Sequence, residues 1–128
     1  MTYQELTDIF AKGENISIEF KKSTADITKD VYETVCSFSN RDGGDIFLGI
    51  KDNGTVLGVD RSCADKIKKN FVTSINNPDK IFPPLYIQPE DMEYDDKLII
   101  RIHVPSCTQV CRCSGRIYDR NHDSDVDI

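Results

Sequence analysis

The chain has no apolar run near the roughly 20 residues that a membrane span needs. Its first residues, Met1-Thr2-Tyr3-Gln4-Glu5, have neither the basic start nor the apolar core of a secretion signal. A cytoplasmic protein with no membrane partner is expected. Positive charge is scarce, with 16 Lys and Arg against 22 Asp and Glu for a formal net charge of −6. Diffuse attraction to a polyanion is therefore not expected, because Lys and Arg neutralising phosphates dominate non-specific nucleic-acid affinity; such a partner must be met by a local basic patch. No Gly-x-x-x-x-Gly-Lys-Ser/Thr occurs, so no ATP site is expected. Paired Cys-x-x-Cys spacing is also missing, and the five cysteines are an odd count without an export signal, which argues for reduced thiols over a disulfide framework. Cys107, Cys111 and Cys113, with His103 before and His122 after, are read as unmetallated loop thiols, so neither metal nor cofactor is expected.

What is present fits one domain: 128 residues with 38% hydrophobic content supply a single core. Thr2 and Glu5 form a capping box ahead of Leu6, Ile9 and Phe10 at helical spacing, and Gly13 stops that helix. From Ile16 the period changes to two, with Ile16, Ile18 and Phe20 inward and Ser17, Glu19 and Lys21 on an open polar face. Asp26 or Thr28 can cap a second helix with Val31, Val35 and Phe38 inward, which Gly43-Gly44 ends. Ile46 to Ile50 reads as a central strand, Asp52-Asn53-Gly54 as a hairpin turn, and Val56 to Val59 as the return strand. Ser62 opens a third helix facing inward with Ala64, Ile67, Phe71 and Ile75. Leu85 to Tyr94, a hairpin at Asp95-Asp96-Lys97, Leu98 to Val104 and Ile117-Tyr118 supply further strands. The fold class is α+β with a mixed sheet and helices packed on it. Residues 1–120 are the expected domain, and 121–128 an acidic polar tail or the start of a linker to a further C-terminal region.

Gly43-Gly44 does not suit a phosphate cradle. Such glycines follow a strand and open a helix, whereas these close a helix and enter a strand. Gly43, Gly44, Gly54 and Gly58 are read as structural turn positions instead.

Glu19-Phe20-Lys21, Ser37-Phe38-Ser39-Asn40, Gly43-Gly44, the strand to Gly49-Ile50, then Asp52, Gly54, Gly58-Val59 and a Tyr118-Asp119-Arg120 ending resemble the Schlafen/AlbA_2 domain, also met as the divergent AAA-4 module of bacterial regulators. The resemblance runs from about Glu14 to Arg120, with a departure in the loop from Cys107 to Cys113. It implies an Alba-like fold and a nucleic-acid-binding role in a bacterial transcriptional regulator-like protein. It also implies a homodimer, since Alba proteins pair and Schlafen cores set two related lobes side by side.

For the animal relatives the resemblance implies an RNA endonuclease site of three carboxylates, which fall on Glu14, Glu19 and Asp52. Such a cluster suits Mg²⁺ or Mn²⁺ and phosphodiester hydrolysis. Each residue has a plainer reading: Asp52 caps its turn, Glu14 follows Gly13 in a loop, and Glu19 pairs with Lys21 or another cation across the sheet. Lys21, Lys22 and Arg41 are the candidate phosphate contacts, against the alternative of solvated salt bridges. Nucleic-acid binding without catalysis is the leading reading. A metal-dependent RNA endonuclease and a protein-interaction or dimerisation module are the alternatives.

Overall fold

The computed structural model describes residues 1–128. It is an α+β domain built on two four-stranded sheets and three helices. Helix α1 (Tyr3–Lys12) opens with the expected capping box, Thr2 Oγ1 accepting from the Glu5 amide at 3.1 Å, and ends at Gly13. Strand β1 (Ile18–Lys21) pairs in parallel with β2 (Gly44–Leu48). Between them lies α2 (Asp30–Ser39), and α3 (Ala64–Ile75) follows β2. The short β3 (Ile81–Phe82) precedes the hairpin of β4 (Glu90–Tyr94) and β5 (Lys97–Val104), whose turn residues Asp95 and Asp96 both have positive φ. Strands β6 (Arg112–Cys113), β7 (Arg116–Asn121) and β8 (Ser124–Asp127) finish the chain. The first sheet has the order β1-β2-β5-β4 and is mixed; the second, β3-β6-β7-β8, is antiparallel. No helix is long and apolar enough to cross a membrane.

Alternation along the strands divides the core in two. Ile46, Leu48, Ile100, Ile102 and Val104 pack with α2 and α3 on one face of the first sheet. Phe47, Phe20, Ile99 and Tyr94 pack with Leu6 and Phe10 of α1 on the other. Phe10 sits edge-on to Phe20, Phe47 and Tyr94 at centroid separations of 5.2–5.8 Å, the arrangement aromatic quadrupoles favour. Strand β2 is thus covered on both faces, as its unbroken apolar run predicts.

Four expectations are corrected. The β1 face bearing Glu19 is not open, because β7 and α2 cover it and Glu19 is buried. Neither Asp26 nor Thr28 caps α2 with its side chain; Lys29 is the cap residue, while the Thr28 hydroxyl donates to Asp30. Val56 to Val59 makes one bridge, Ile50 to Val56, instead of a strand, because the Gly49 carbonyl accepts from both Leu57 and Gly58 and the ladder cannot continue. Residues 121–128, read as a tail or linker, contain β8, which folds back on β7 and carries Asp125 inward while Val126 stays exposed. Their polarity hid an internal charge partner.

Gly43 and Gly44 lie where backbones nearly touch, an added Cβ meeting the Val104 carbonyl at 2.6 Å and the Ser17 carbonyl at 2.7 Å respectively. Gly54 is tighter: with φ +89° it rests on α1, and a Cβ would come within 2.2 Å of the Phe10 carbonyl oxygen. Gly54→Ala should therefore lower stability by more than about 1 kcal/mol, read as a reduced urea midpoint with unchanged slope.

Candidate functional site

The polar side of β1 converges on a buried guanidinium. Arg120 comes from β7 and is only 1% exposed. One terminal nitrogen donates to Glu19 Oε1 at 3.3 Å and Asp125 Oδ1 at 2.9 Å, the other to the carbonyls of Asn15 at 2.9 Å and Ile18 at 3.1 Å. Its Nε has no partner, and its central carbon lies 4.8 Å from the Phe38 ring centroid, a cation–π contact from α2. Asp125 also accepts from the hydroxyls of Thr34 and Ser37. A charge this deep persists only with such pairing.

That arrangement engages several of the sequence-predicted site residues. Glu19 is held by Arg120 and by Lys21, whose Nζ lies 3.8 Å away. Lys21 donates to Asp30 at 2.7 Å. Burial alone would raise the Asp30 pKa, but hydrogen bonds from Lys21 and Thr28 outweigh it and lower it. Glu14 points its carboxylate at the Phe20 amide, 3.2 Å away. Burial raises its pKa, helped by the nearby charges of Asp52 and Asp123 and opposed by the Phe20 hydrogen bond. Glu14 and Asp52 are thus neighbours, whereas Glu19 faces inward to Arg120. No three His, Cys, Asp or Glu side chains are arranged to hold a metal ion. The carboxylates present do not fit the Mg²⁺ or Mn²⁺ of a nuclease, since Glu19 is buried against Arg120 and Lys21 and does not join Glu14 and Asp52 in one ligand set.

Arg41, at the end of α2, makes a two-pronged ion pair with Asp119 at 2.9 and 3.0 Å. His103 pairs with Asp45, which also accepts from Arg101. Lys22 is exposed with no ion-pair partner and, with Lys51, Asp52 and Asn53, borders an open concavity of about 280 Å³.

A second set of cations is free of carboxylates. Ile81 is buried and its neighbours alternate outward, so Lys80 and Phe82 share the exposed side of β3, and Phe82 faces Arg112 across the β3–β6 ladder. Phe82 is 56% exposed. Lys80 and Lys29 both line a groove of about 360 Å³ whose other walls are Ile27, Tyr32, Asn70, Thr73 and Ser74. None of these is acidic. Lys29, Lys80 and Arg112 have no salt-bridge partner within 4.0 Å, and the exposed Lys66 and Lys69 of α3 have none either. The one available signal for this face was the alternation Lys80, Ile81, Phe82, a cation and an aromatic flanking a buried position.

The family model described as Schlafen, AlbA_2 matches residues 14–128. The chain belongs to that family. Within this AlbA_2 domain the matched span includes β8 and its Asp125. No curated protein matches the sequence. Among solved structures, the DIP2311 protein from Corynebacterium diphtheriae shares 15% identity, covering 88% of this chain and 22% of its own, with a TM-score of 0.64. The N-terminal domain of a candidate ATP-dependent DNA helicase RecG-related protein from Nitrosomonas europaea shares 22% identity, covering 81% of this chain and 70% of its own, with a TM-score of 0.57. These likenesses establish the fold. The chain spans about 22% of the Corynebacterium protein.

Two outcomes are expected. Arg120→Met strands Glu19 and Asp125 inside the domain and should cost about 3–5 kcal/mol by urea unfolding, whereas Lys21→Met, which leaves Glu19 its Arg120 partner and strands only the half-exposed Asp30, should cost less than about 1 kcal/mol. Asp119 is held below the usual carboxylate range chiefly by its Arg41 hydrogen bonds, and Asp30 is also lowered. Both are favoured as carboxylates in the fold. Their stabilisation is complete above the ordinary Asp pKa of 3.8 and is lost as pH falls through the lower folded values. Asp119→Asn should flatten the acid limb of a stability-against-pH curve and shift the neutral plateau slightly downward.

Proposed function

We propose that the chain is the nucleic-acid-binding domain of a transcriptional regulator-like protein in a bacterial cytoplasm, and that it reads phosphate through the face bearing Lys29, Lys80, Phe82 and Arg112. The observation that carries the reading is the exposed Phe82 set between Lys80 and Arg112, beside a groove with no acidic wall. A flexible strand needs cations spaced along its backbone and an aromatic surface for a base to stack on, and each stacked base contributes about 1–3 kcal/mol. Family membership supports a nucleic-acid-associated role, as does the printed description of the Nitrosomonas neighbour as DNA-helicase-related.

The reading moves the contact away from Lys21 and Arg41. Their charges are spent on Asp30, Glu19 and Asp119, and freeing them would cost the pairs that hold β1 and β7 to α2. Lys22 stays available as an outlying contact. Glu90, Asp91 and Glu93 lie on the outer strand β4 of the other sheet and discourage edge-to-edge association there. A homodimer belongs to this proposal, because two copies of the face double the local field that a domain of net charge −6 can present.

The test is binding of short DNA and RNA oligonucleotides at several salt concentrations, with sedimentation on the same samples. Affinity should fall steeply with salt, and Lys80→Glu with Arg112→Glu should weaken it at least about tenfold, with Phe82→Ala next and Lys97→Glu nearly neutral. Salt-insensitive or undetectable binding to both, by a strictly monomeric chain, would support the protein-interaction module instead.

A further inference from the structure

Beneath the same sheet lie three thiols that nucleic-acid binding does not use. Cys36 on the inner side of α2 and Cys111 are fully buried, and their sulfurs are 2.8 Å apart. Cys111 is fixed there through its backbone: Asn40, capping α2, donates from Nδ2 to the Cys111 carbonyl at 2.9 Å and accepts the Cys111 amide at 2.6 Å. Two residues on, Cys113 pairs with Ile81 in the β3–β6 ladder and is 7% exposed. It borders a concavity of about 190 Å³ with Lys29, Tyr32, Lys80 and Ser114. Cys36 therefore touches a sulfur sealed in the core, and the third thiol of the same core cluster, Cys113, opens onto the surface.

The groups around Cys113 favour its ionised form. The nearby Cys36 thiol is the largest influence and lowers the Cys113 pKa; burial and the Glu33 carboxylate oppose it, while Ser114 and Lys29 assist. The Cys36 pKa is raised in turn by Cys111 and Cys113. Thiolate character and access together decide which cysteine an oxidant attacks.

We propose that Cys113 is a peroxide-reactive thiol resolved by Cys36, with Cys111 taking over the final disulfide. The Cys113 thiolate attacks a peroxide oxygen, the O–O bond breaks, and the leaving hydroxide takes a proton as water, leaving a sulfenic acid. Cys36 attacks that sulfur, the S–O bond breaks, and a second water carries off the Cys36 proton. Two thiols have been oxidised and one hydrogen peroxide reduced to two waters. Cys111 then attacks the Cys36 sulfur and releases Cys113 as a thiol bearing the Cys111 proton. The product ties α2 to the segment entering β6 across 75 positions of sequence.

The test treats the full chain, in a Cys107→Ser background, with hydrogen peroxide, followed by alkylation, trypsin and mass spectrometry. Cleavage after Arg41 and Arg112 leaves Cys36, Cys111 and Cys113 on separate peptides. A Cys36–Cys111 linked peptide is expected, replaced by Cys36–Cys113 when Cys111 is also changed to Ser, with Cys63 unlinked. Adding Cys113→Ser should slow cross-linking of Cys36 about tenfold. Equal rates with and without Cys113, or no Cys36-linked peptide in the chain that keeps all three thiols, would overturn the proposal; the second result needs no variant of the cluster to fold. One zinc per chain, protecting all three thiols until chelated, would overturn it as well.

Discussion

The ion pair between Arg120 and the carboxylates of Glu19 and Asp125 is the contact on which this domain turns. A guanidinium buried at 1% exposure is tolerable only because four hydrogen bonds and an aromatic face replace its water. Those partners come from β1, β8, α2 and the loop before β1. One side chain therefore fixes the edge of the mixed sheet, closes the terminal hairpin and sets α2 against both. Removal of either partner leaves an unpaired charge in the core, so the elements it joins stand or fall together.

The same contact decides where the surface can act. With Glu19 committed to Arg120 and Lys21, and Arg41 to Asp119, the polar side of β1 is an internal joint. Free cations are left on Lys29, Lys80 and Arg112, where the second sheet meets the ends of α2 and α3. The oxidisable thiols lie beneath this region and reach solvent through the concavity shared by Lys29 and Lys80. A disulfide there would fasten strand β6, which carries Arg112, to α2.

Much of the framework was legible in the sequence because each element announced itself locally. The capping box set the start of α1, the unbroken run Ile46 to Leu48 marked a strand covered on both faces, and Asp95-Asp96 supplied the positive φ of a hairpin. The candidate site was harder to read because its logic is non-local. Nothing in Ser17-Ile18-Glu19 says that Glu19 meets an arginine 101 residues away. A run as polar as Asn121 to Asp127 looks like a tail until Asp125 is seen to answer a buried charge. The cysteine cluster is hidden in the same way, since Cys111 and Cys113 stand near Cys107 and the histidines in sequence while Cys36, which meets Cys111 in space, sits on a helix far earlier in the chain.

Amide shift mapping during titration with a short oligonucleotide tests the central claim most directly, since it locates contact without requiring any variant to fold. The account predicts that perturbations concentrate at Lys29, Lys80 to Phe82 and Arg112 to Ser114, while Glu14, Glu19, Lys21 and Asp52 stay in place. Perturbations centred on those four residues, growing on addition of Mn²⁺, would contradict it and restore the carboxylate face as the site.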